Sequence, residues 1–102
     1  MHLIQVLLPL YDNNGRPLPK ELFRTVAAEL TDRFGGLTAY TRAPAEGRWK
    51  DGPATTARDD IVIYEVMADR LDRDWWRQYR TDLEGRFRQE QIIVRAQVVE
   101  VL

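Results

Sequence analysis

The order of its apolar segments constrains what this chain can fold into more than any other feature. Four short runs with the composition of strands are separated by turn residues: Leu3–Leu10, Leu37–Arg42, Asp60–Met67 and Ile92–Leu102. Two stretches with helical spacing lie between them, the first after Pro19 and the second after Asp72. The sequence therefore predicts the order strand, helix, strand, strand, helix, strand.

Both predicted helices have recognisable ends. Pro19 suits the first helical position, and Gly35 with Gly36 stops the first helix. Asp72 can cap the second helix. The interior glycine of that helix, Gly85, suggests a close approach of backbone or of a large ring.

This order of elements fixes the predicted topology. Two interleaved right-handed βαβ crossovers give a ferredoxin-like plait, an α+β fold with four antiparallel strands in the order 4-1-3-2 and both helices on one face. Residues 43–59 are expected to be a long connection with at most a brief edge strand at Gly47–Lys50. The whole chain, 1–102, is predicted to be a single domain.

The face of this sheet that lacks helices is predicted to be apolar. Strand alternation places one aliphatic set toward the helices (Ile4, Val6, Leu8, Val62, Tyr64, Val66, Ile92, Val94 and Val98). It places a second set on the opposite face: Leu3, Leu7, Ile61, Ile63, Met67, Ile93, Val99 and Val101. Monomers seldom expose such a patch. We therefore expect a homodimer whose copies pack these faces together or close around a shared cavity.

Polar residues predicted on the same face are the candidate ligand-binding residues: Gln5, Tyr40, Arg42, Glu65, Arg95 and Gln97. Burying Glu65 and Arg95 is costly unless they pair or meet a ligand. As neighbours they could bind a carboxylate, polarise a carbonyl or relay a proton. Glu65 is the candidate catalytic residue, a general base. Ion pairs that fix the register of a dimer are the alternative role for these residues.

Aromatic and basic residues elsewhere allow two interpretations each. Trp49, between basic neighbours, could be a lid over a planar ligand or an anchor for an edge loop. The second helix has an aromatic row that could line a cofactor cavity or form ordinary core: Trp75, Trp76, Tyr79 and Phe87. The arginines between Arg73 and Arg88 on its opposite side could attract an anionic partner or form a solvated face with pairs such as Arg80 with Glu84.

Composition narrows the classes of function. Fifteen basic and sixteen acidic residues give a net charge of −1, without the basic excess of nucleic-acid binders. The chain has no cysteine and one histidine, His2, which leaves few ligands for a metal. No phosphate loop or nucleophile elbow is present. The apolar start is too short to span a membrane and has no leader pattern. We expect a cytoplasmic protein with no cofactor, metal, nucleic-acid or membrane partner.

Three short motifs carry a resemblance to known proteins: Phe34-Gly35-Gly36-Leu37-Thr38, Gly47-Arg48-Trp49 and Arg86-Phe87-Arg88-Gln89-Glu90. With the segment order and length, they make the whole chain resemble the dimeric α/β-barrel group of ferredoxin-like proteins. That group includes stress-response barrels, monooxygenases and muconolactone isomerases. The closer similarity is to a family of small bacterial proteins of unassigned activity. The resemblance implies this fold and a homodimer.

Three functions stay open. The first is a homodimeric binding or structural module with an unknown small-molecule ligand. The second is a small cofactor-independent enzyme, monooxygenase- or isomerase-like, for a planar or carboxylated metabolite. Glu65 would then be the base, Arg42 and Arg95 the anion holders, Tyr40 a donor and Trp49 a lid. The third is a subunit whose helix-free sheet face recruits a different protein.

Overall fold

The predicted order of elements is confirmed in the computed structural model, which describes the backbone of residues 1–50 and 56–102 and the side chains of residues 1–41 and 60–102. The elements are β1 (His2–Pro9), α1 (Lys20–Phe34), β2 (Thr38–Lys50), β3 (Thr56–Ala68), α2 (Arg73–Arg86) and β4 (Ile93–Val98). The strands form one antiparallel sheet in the order β2-β3-β1-β4. This is the predicted order 4-1-3-2 seen from the other edge, so the fold is the ferredoxin-like plait.

The connection between β2 and β3 differs from the prediction. Most of residues 43–59 belong to these two strands, which pair from Ala45 opposite Ile61 to Lys50 opposite Thr56. The register shifts between Tyr40 and Ala45. The expected long loop is therefore wrong. Glycine and proline lower strand propensity in this segment, but pairing with a long partner strand outweighs that local preference.

The hydrophobic core lies between the sheet and the two helices. Ile4, Val6 and Leu8 of β1 are fully buried there. The rest of the core comes from the other elements: Val26, Leu30, Val62, Tyr64, Val66, Trp76, Tyr79, Leu83, Phe87 and Ile92. Burying each large apolar side chain contributes roughly 1.5–3 kcal/mol to stability. The predicted core side of the strands is confirmed except at Val98, which is 77 % exposed at the end of β4.

The ends of the helices follow local chemistry. Gly35 ends α1 in the left-handed conformation, with φ of 79°, where glycine pays no steric cost. The Asp72 carboxylate caps α2 by accepting from the backbone N–H of Trp75 at 3.1 Å. Pro19 lies one residue before α1, not at its first position. The close approach expected at Gly85 is wrong, because an added Cβ would meet no described neighbour within 4 Å.

An ion-pair network joins the two helices. Arg86 donates to the two carboxylate oxygens of Glu29 at 2.5 and 3.0 Å and to Asp82 at 2.6 Å. The Tyr79 hydroxyl also donates to Glu29, at 3.0 Å. The hydrogen bonds from Arg86 hold the pKa of Glu29 below its ordinary value. Arg86 therefore connects α2 to α1 through Glu29.

The aromatic row of α2 packs as core. Trp76 is stacked on Phe34, with ring centroids 5.2 Å apart, and Trp75 lies beside it with the Arg33 guanidinium 4.0 Å above its ring. Glu84 does not pair with Arg80; it accepts from the backbone N–H of Ile92 at 2.9 Å and so holds the approach to β4. Along the described residues, neither helix has the length and apolar character needed to cross a membrane.

Candidate functional site

The helix-free face of the sheet carries successive rows of paired side chains. One row is Gln97, Leu3 and Met67, the next is Arg95, Gln5, Glu65 and Thr38, and the third is Ile93, Leu7, Ile63 and Tyr40, whose hydroxyl reaches back to the middle row. The middle row is polar and its neighbours are mostly aliphatic. Because directly opposite residues in a sheet share a face, these rows lie side by side on one surface.

Hydrogen bonds connect the polar side chains across all four strands. Gln5 of β1 donates from Nε2 to Glu65 Oε1 at 2.6 Å and accepts at Oε1 from Arg95 Nε at 2.7 Å. The Tyr40 hydroxyl of β2 reaches the second carboxylate oxygen, Oε2, of Glu65 at 3.1 Å. We call these four residues, Arg95, Gln5, Glu65 and Tyr40, the polar row. Both ends of the Gln5 amide are engaged, so its orientation is fixed.

Glu65 and Arg95 are not direct neighbours across the sheet, as a role for them as an adjacent pair would require. They lie on β3 and β4, the two strands that flank β1, and Gln5 stands between them. Among the described side chains Glu65 forms no ion pair, and Arg95 uses only Nε within the protein. The polar row thus has a cation at one end and an anion near the other, joined through a neutral amide.

Tyr40 is positioned as a hydrogen-bond donor. The hydrogen bond to Glu65, followed by the negative charge of that carboxylate, raises the pKa of Tyr40 above its ordinary value of 10.0. A phenol with a raised pKa stays protonated at neutral pH. Tyr40 can therefore orient Glu65 or donate to a ligand that displaces it.

A shallow, open depression lies on the Arg95 side of the polar row. Its volume is about 80 Å³. It is lined by Leu3, Gln5, Arg95, Ala96 and Gln97. Sites for small molecules usually enclose roughly 300–1,000 Å³. The described part of one chain therefore holds the floor of a site in this place and not an enclosed pocket.

The apolar side chains around the polar row are only partly covered. Met67 and Ile93 are each 50 % exposed, although they are large and border the polar row, and Tyr40 at its end is exposed to the same extent. The aliphatic residues closer to the middle of the sheet are half-buried: Leu3, Leu7, Ile61 and Ile63. One side of the sheet is thus closed by helices, and the other presents a mixed apolar and polar surface.

Some predicted site features lie elsewhere or are not described. The side chains of Arg42 and Trp49 lie outside the described residues. The last strand ends at Val98, so the expected strand up to Leu102 is wrong over its final residues. Val99 still donates its backbone N–H to the Met1 carbonyl at 3.0 Å, while Val101 is largely exposed.

Residue types alone do not reveal the connecting role of Gln5. The sequence predicts Gln5, Glu65 and Arg95 on one face, but which residues stand directly opposite one another depends on the strand register. The signal that points to the connector is the position of Gln5 on β1, the strand between those of Glu65 and Arg95. Within the ranges whose side chains are described, no cluster of three or more His, Asp or Glu residues could hold a metal ion.

Comparison with known proteins relates this chain to others by fold. No protein-family model and no curated protein matches it. A solved structure of a phage SAM lyase in complex with S-methyl-5′-thioadenosine matches with a TM-score of 0.61 and 14% identity, over 94% of this chain and 79% of that chain. A phage SAM lyase in the apo state matches with a TM-score of 0.60 and 14% identity, over 94% and 78%.

At this level of identity the likeness shows the fold alone. It agrees with the plait described above, in which four antiparallel strands carry two helices. The resemblance to the dimeric α/β-barrel group and to a bacterial family stays a prediction. Whatever chemistry the chain performs must be argued from its own site.

Proposed function

We propose that two copies of this chain cover each other's helix-free sheet face and enclose a small-molecule binding site around the polar row. The observation that carries this proposal is the row itself, a connected set of polar side chains between aliphatic rows on a face without helices. Binding sites combine an apolar lining with a few polar groups that fix orientation.

The shallow depression and the aliphatic rows beside it support a homodimer. A two-fold axis across the sheet would bring two depressions face to face, so that two shallow floors make one deeper cavity. The aliphatic rows on either side of the polar row would form the seam that excludes water. A fully connected polar row also suits burial, because polar groups that keep their hydrogen bonds lose less on leaving water.

Light scattering tests the assembly directly. We expect a species of about twice the 11.9 kDa chain mass at micromolar concentration. Two substitutions on β4 provide a matched pair, because Ile93 pairs with Leu7 on the helix-free face while Val98 pairs with His2 on the other. Ile93→Lys should give monomers, because it buries a charge in the seam, and Val98→Lys should leave the dimer intact.

The opposite results contradict the proposal. A wild-type chain that stays at 11.9 kDa over the whole concentration range has no homodimer. A dimer that Val98→Lys breaks and Ile93→Lys preserves would use the free edge of β4 and not the sheet face. Circular dichroism of both variants separates loss of assembly from loss of fold, since both side chains are at least half exposed.

A second candidate function is that of a small cofactor-independent enzyme acting on S-adenosylmethionine. The observation that favours it is the likeness over 94% of this chain to a phage SAM lyase with S-methyl-5′-thioadenosine bound. S-adenosylmethionine has a planar adenine ring and a carboxylate, the two features expected of a substrate for the polar row. Glu65 would be the general base that removes a proton from the carbon next to the one bonded to sulfur. The electron pair of the C–H bond would form a C=C bond as the C–S bond breaks, and the electron pair of the C–S bond would stay on sulfur. The products would be S-methyl-5′-thioadenosine and an unsaturated amino acid, with the proton on Glu65.

Product analysis tests the enzyme hypothesis. Incubation of the purified protein with S-adenosylmethionine should release S-methyl-5′-thioadenosine, detected by mass spectrometry after chromatography. Glu65→Gln should lower the rate about 10²–10⁴-fold, the usual contribution of a general base. Release no faster than in protein-free buffer rejects this candidate and leaves the binding module standing.

A further inference from the structure

We infer that the two ends of the polar row bind the two opposite charges of one ligand, a zwitterionic metabolite whose carboxylate binds at Arg95 and whose cationic centre lies at Glu65. This inference rests on the proposed function, because it takes the helix-free face as the binding surface. It adds the class of ligand and its direction across the sheet.

The Arg95 end has the donors and the space for a carboxylate. Its Nε is occupied by Gln5 at 2.7 Å, which orients the guanidinium and leaves both terminal nitrogens without an acceptor among the described residues. Two parallel N–H groups of arginine match the two oxygens of a carboxylate. The depression opens beside this group, and Gln97 on its wall offers an amide donor.

The Glu65 end has a negative charge with no cation beside it. Each carboxylate oxygen accepts one hydrogen bond, from Gln5 at 2.6 Å and from Tyr40 at 3.1 Å, and both donors are neutral. These bonds hold the carboxylate in place without cancelling its charge. An ammonium could donate to the remaining lone pairs, and a sulfonium could approach by charge attraction alone.

Gln5 determines the spacing between the two charges. The strands that carry Arg95 and Glu65 are two strand spacings apart, roughly 10 Å at the backbone. Both side chains reach toward Gln5, so their charged groups are closer to each other than their backbones are. A ligand with a short aliphatic chain between carboxylate and cationic centre spans this distance. S-adenosylmethionine has such a chain.

Three related nucleosides test the inference by calorimetry. S-adenosylmethionine carries the carboxylate and, three carbons away, a positive sulfonium, which is the cationic centre expected at Glu65. S-adenosylhomocysteine keeps the carboxylate and the α-ammonium next to it but has a neutral sulfur, and S-methyl-5′-thioadenosine lacks all three charges. We expect the affinity to fall in that order. Arg95→Gln should lower the affinity for S-adenosylmethionine and S-adenosylhomocysteine about 10–100-fold, because both carry the carboxylate. The affinity for S-methyl-5′-thioadenosine, which has no carboxylate, should stay unchanged.

Glu65→Gln should act on the other charge. It should lower the affinity for S-adenosylmethionine about tenfold or more. The affinity for S-adenosylhomocysteine should change much less, since that compound lacks the sulfonium. Arg80→Gln and Glu90→Gln are matched controls that make the same charge changes at exposed positions outside the polar row, and they should leave all three affinities unchanged.

Specific outcomes overturn the inference. Equal affinity for the three nucleosides, or equal loss for all three on Arg95→Gln, would show that the charges do not select the ligand. Binding of none of them would show that Arg95 and Glu65 do not form a zwitterion site. Light scattering on the same samples separates the two proposals: a dimer that fails these tests keeps its seam and loses its zwitterion site, whereas a monomer loses both.

Discussion

The two faces of the sheet differ in whether they carry polar side chains. On the helix-covered face, no polar or charged side chain among the described residues is buried, and the core is formed by aliphatic and aromatic groups alone. On the helix-free face, the polar row crosses all four strands between aliphatic rows. The first face is therefore built for stability, while the second holds oriented hydrogen-bonding groups on a rigid support.

The contrast predicts that truncations to alanine have unequal costs on the two sides of the sheet. Phe87 is fully buried and packs edge to face on Phe23, with centroids 5.3 Å apart, so Phe87→Ala should lower the free energy of unfolding by about 3–5 kcal/mol. Ile93→Ala removes a side chain that is half exposed in one copy. It should cost less than about 1 kcal/mol in dilute protein.

Urea denaturation at two protein concentrations measures both costs. The cost of Phe87→Ala should be independent of concentration. The cost of Ile93→Ala should grow with concentration if a second copy covers the helix-free face, because association then adds to stability. Equal costs for both variants in dilute protein would remove the contrast between the faces.

A smaller effect on the free energy of unfolding is expected from the ion pair between Glu29 and Arg86, which joins the two helices. The pKa of Glu29 is held below its ordinary value of 4.5 in the folded chain, chiefly by the hydrogen bonds from Arg86. A lowered folded pKa stabilises above the unfolded pKa, and this contribution is lost as pH falls through 4.5 and below. Because both side chains are partly exposed, the loss should be about 1 kcal/mol.

Unfolding at pH values on both sides of that range checks this prediction. Arg86→Gln should remove much of the acid-dependent loss attributed to Glu29, whereas Arg80→Gln, an exposed residue of the same helix, should not. An Arg86→Gln variant with the full wild-type pH dependence would mean that other carboxylates cause the loss.

The smallest expected effect concerns Tyr40 on the helix-free face. The pKa of Tyr40 is raised by the hydrogen bond to Glu65 and by its charge, so Glu65→Gln should bring that pKa down toward 10.0. Tyrosinate absorbance during an alkaline titration measures the change, and Tyr40→Phe identifies which part of the signal belongs to this residue. An identical titration curve in Glu65→Gln would mean that Tyr40 and Glu65 are not in contact in solution.

Local signals predicted the fold more completely than they predicted the site. The helix stop at Gly35, the cap at Asp72 and strand alternation act over a few residues, so the sequence displays them directly. The extension of β2 past Tyr40 depends on pairing with β3 across a register shift, which residue preferences do not show. The same holds for β4, whose end at Val98 follows from the length of its partner β1.

The site illustrates the same limit. The sequence predicts Glu65 and Arg95 on one face, because alternation along a strand is local. The predicted strand order places β1 between the two residues, but the hydrogen bonds by which Gln5 joins them depend on the register, which residue preferences do not show. The pairing of Arg86 with Glu29 is likewise a contact between distant parts of the chain, 57 residues apart, and helical spacing predicts only the nearer pair with Asp82.

The central place of β1 has a consequence for how the protein is made. Gln5 precedes Arg95, the residue that orients it on one side, by 90 positions, so it is synthesised well before that partner. The Gln5 amide lacks its second hydrogen-bond partner until the segment that carries β4 has been made. A polypeptide that lacks β4 cannot complete the polar row, so any binding that depends on this row would require β4.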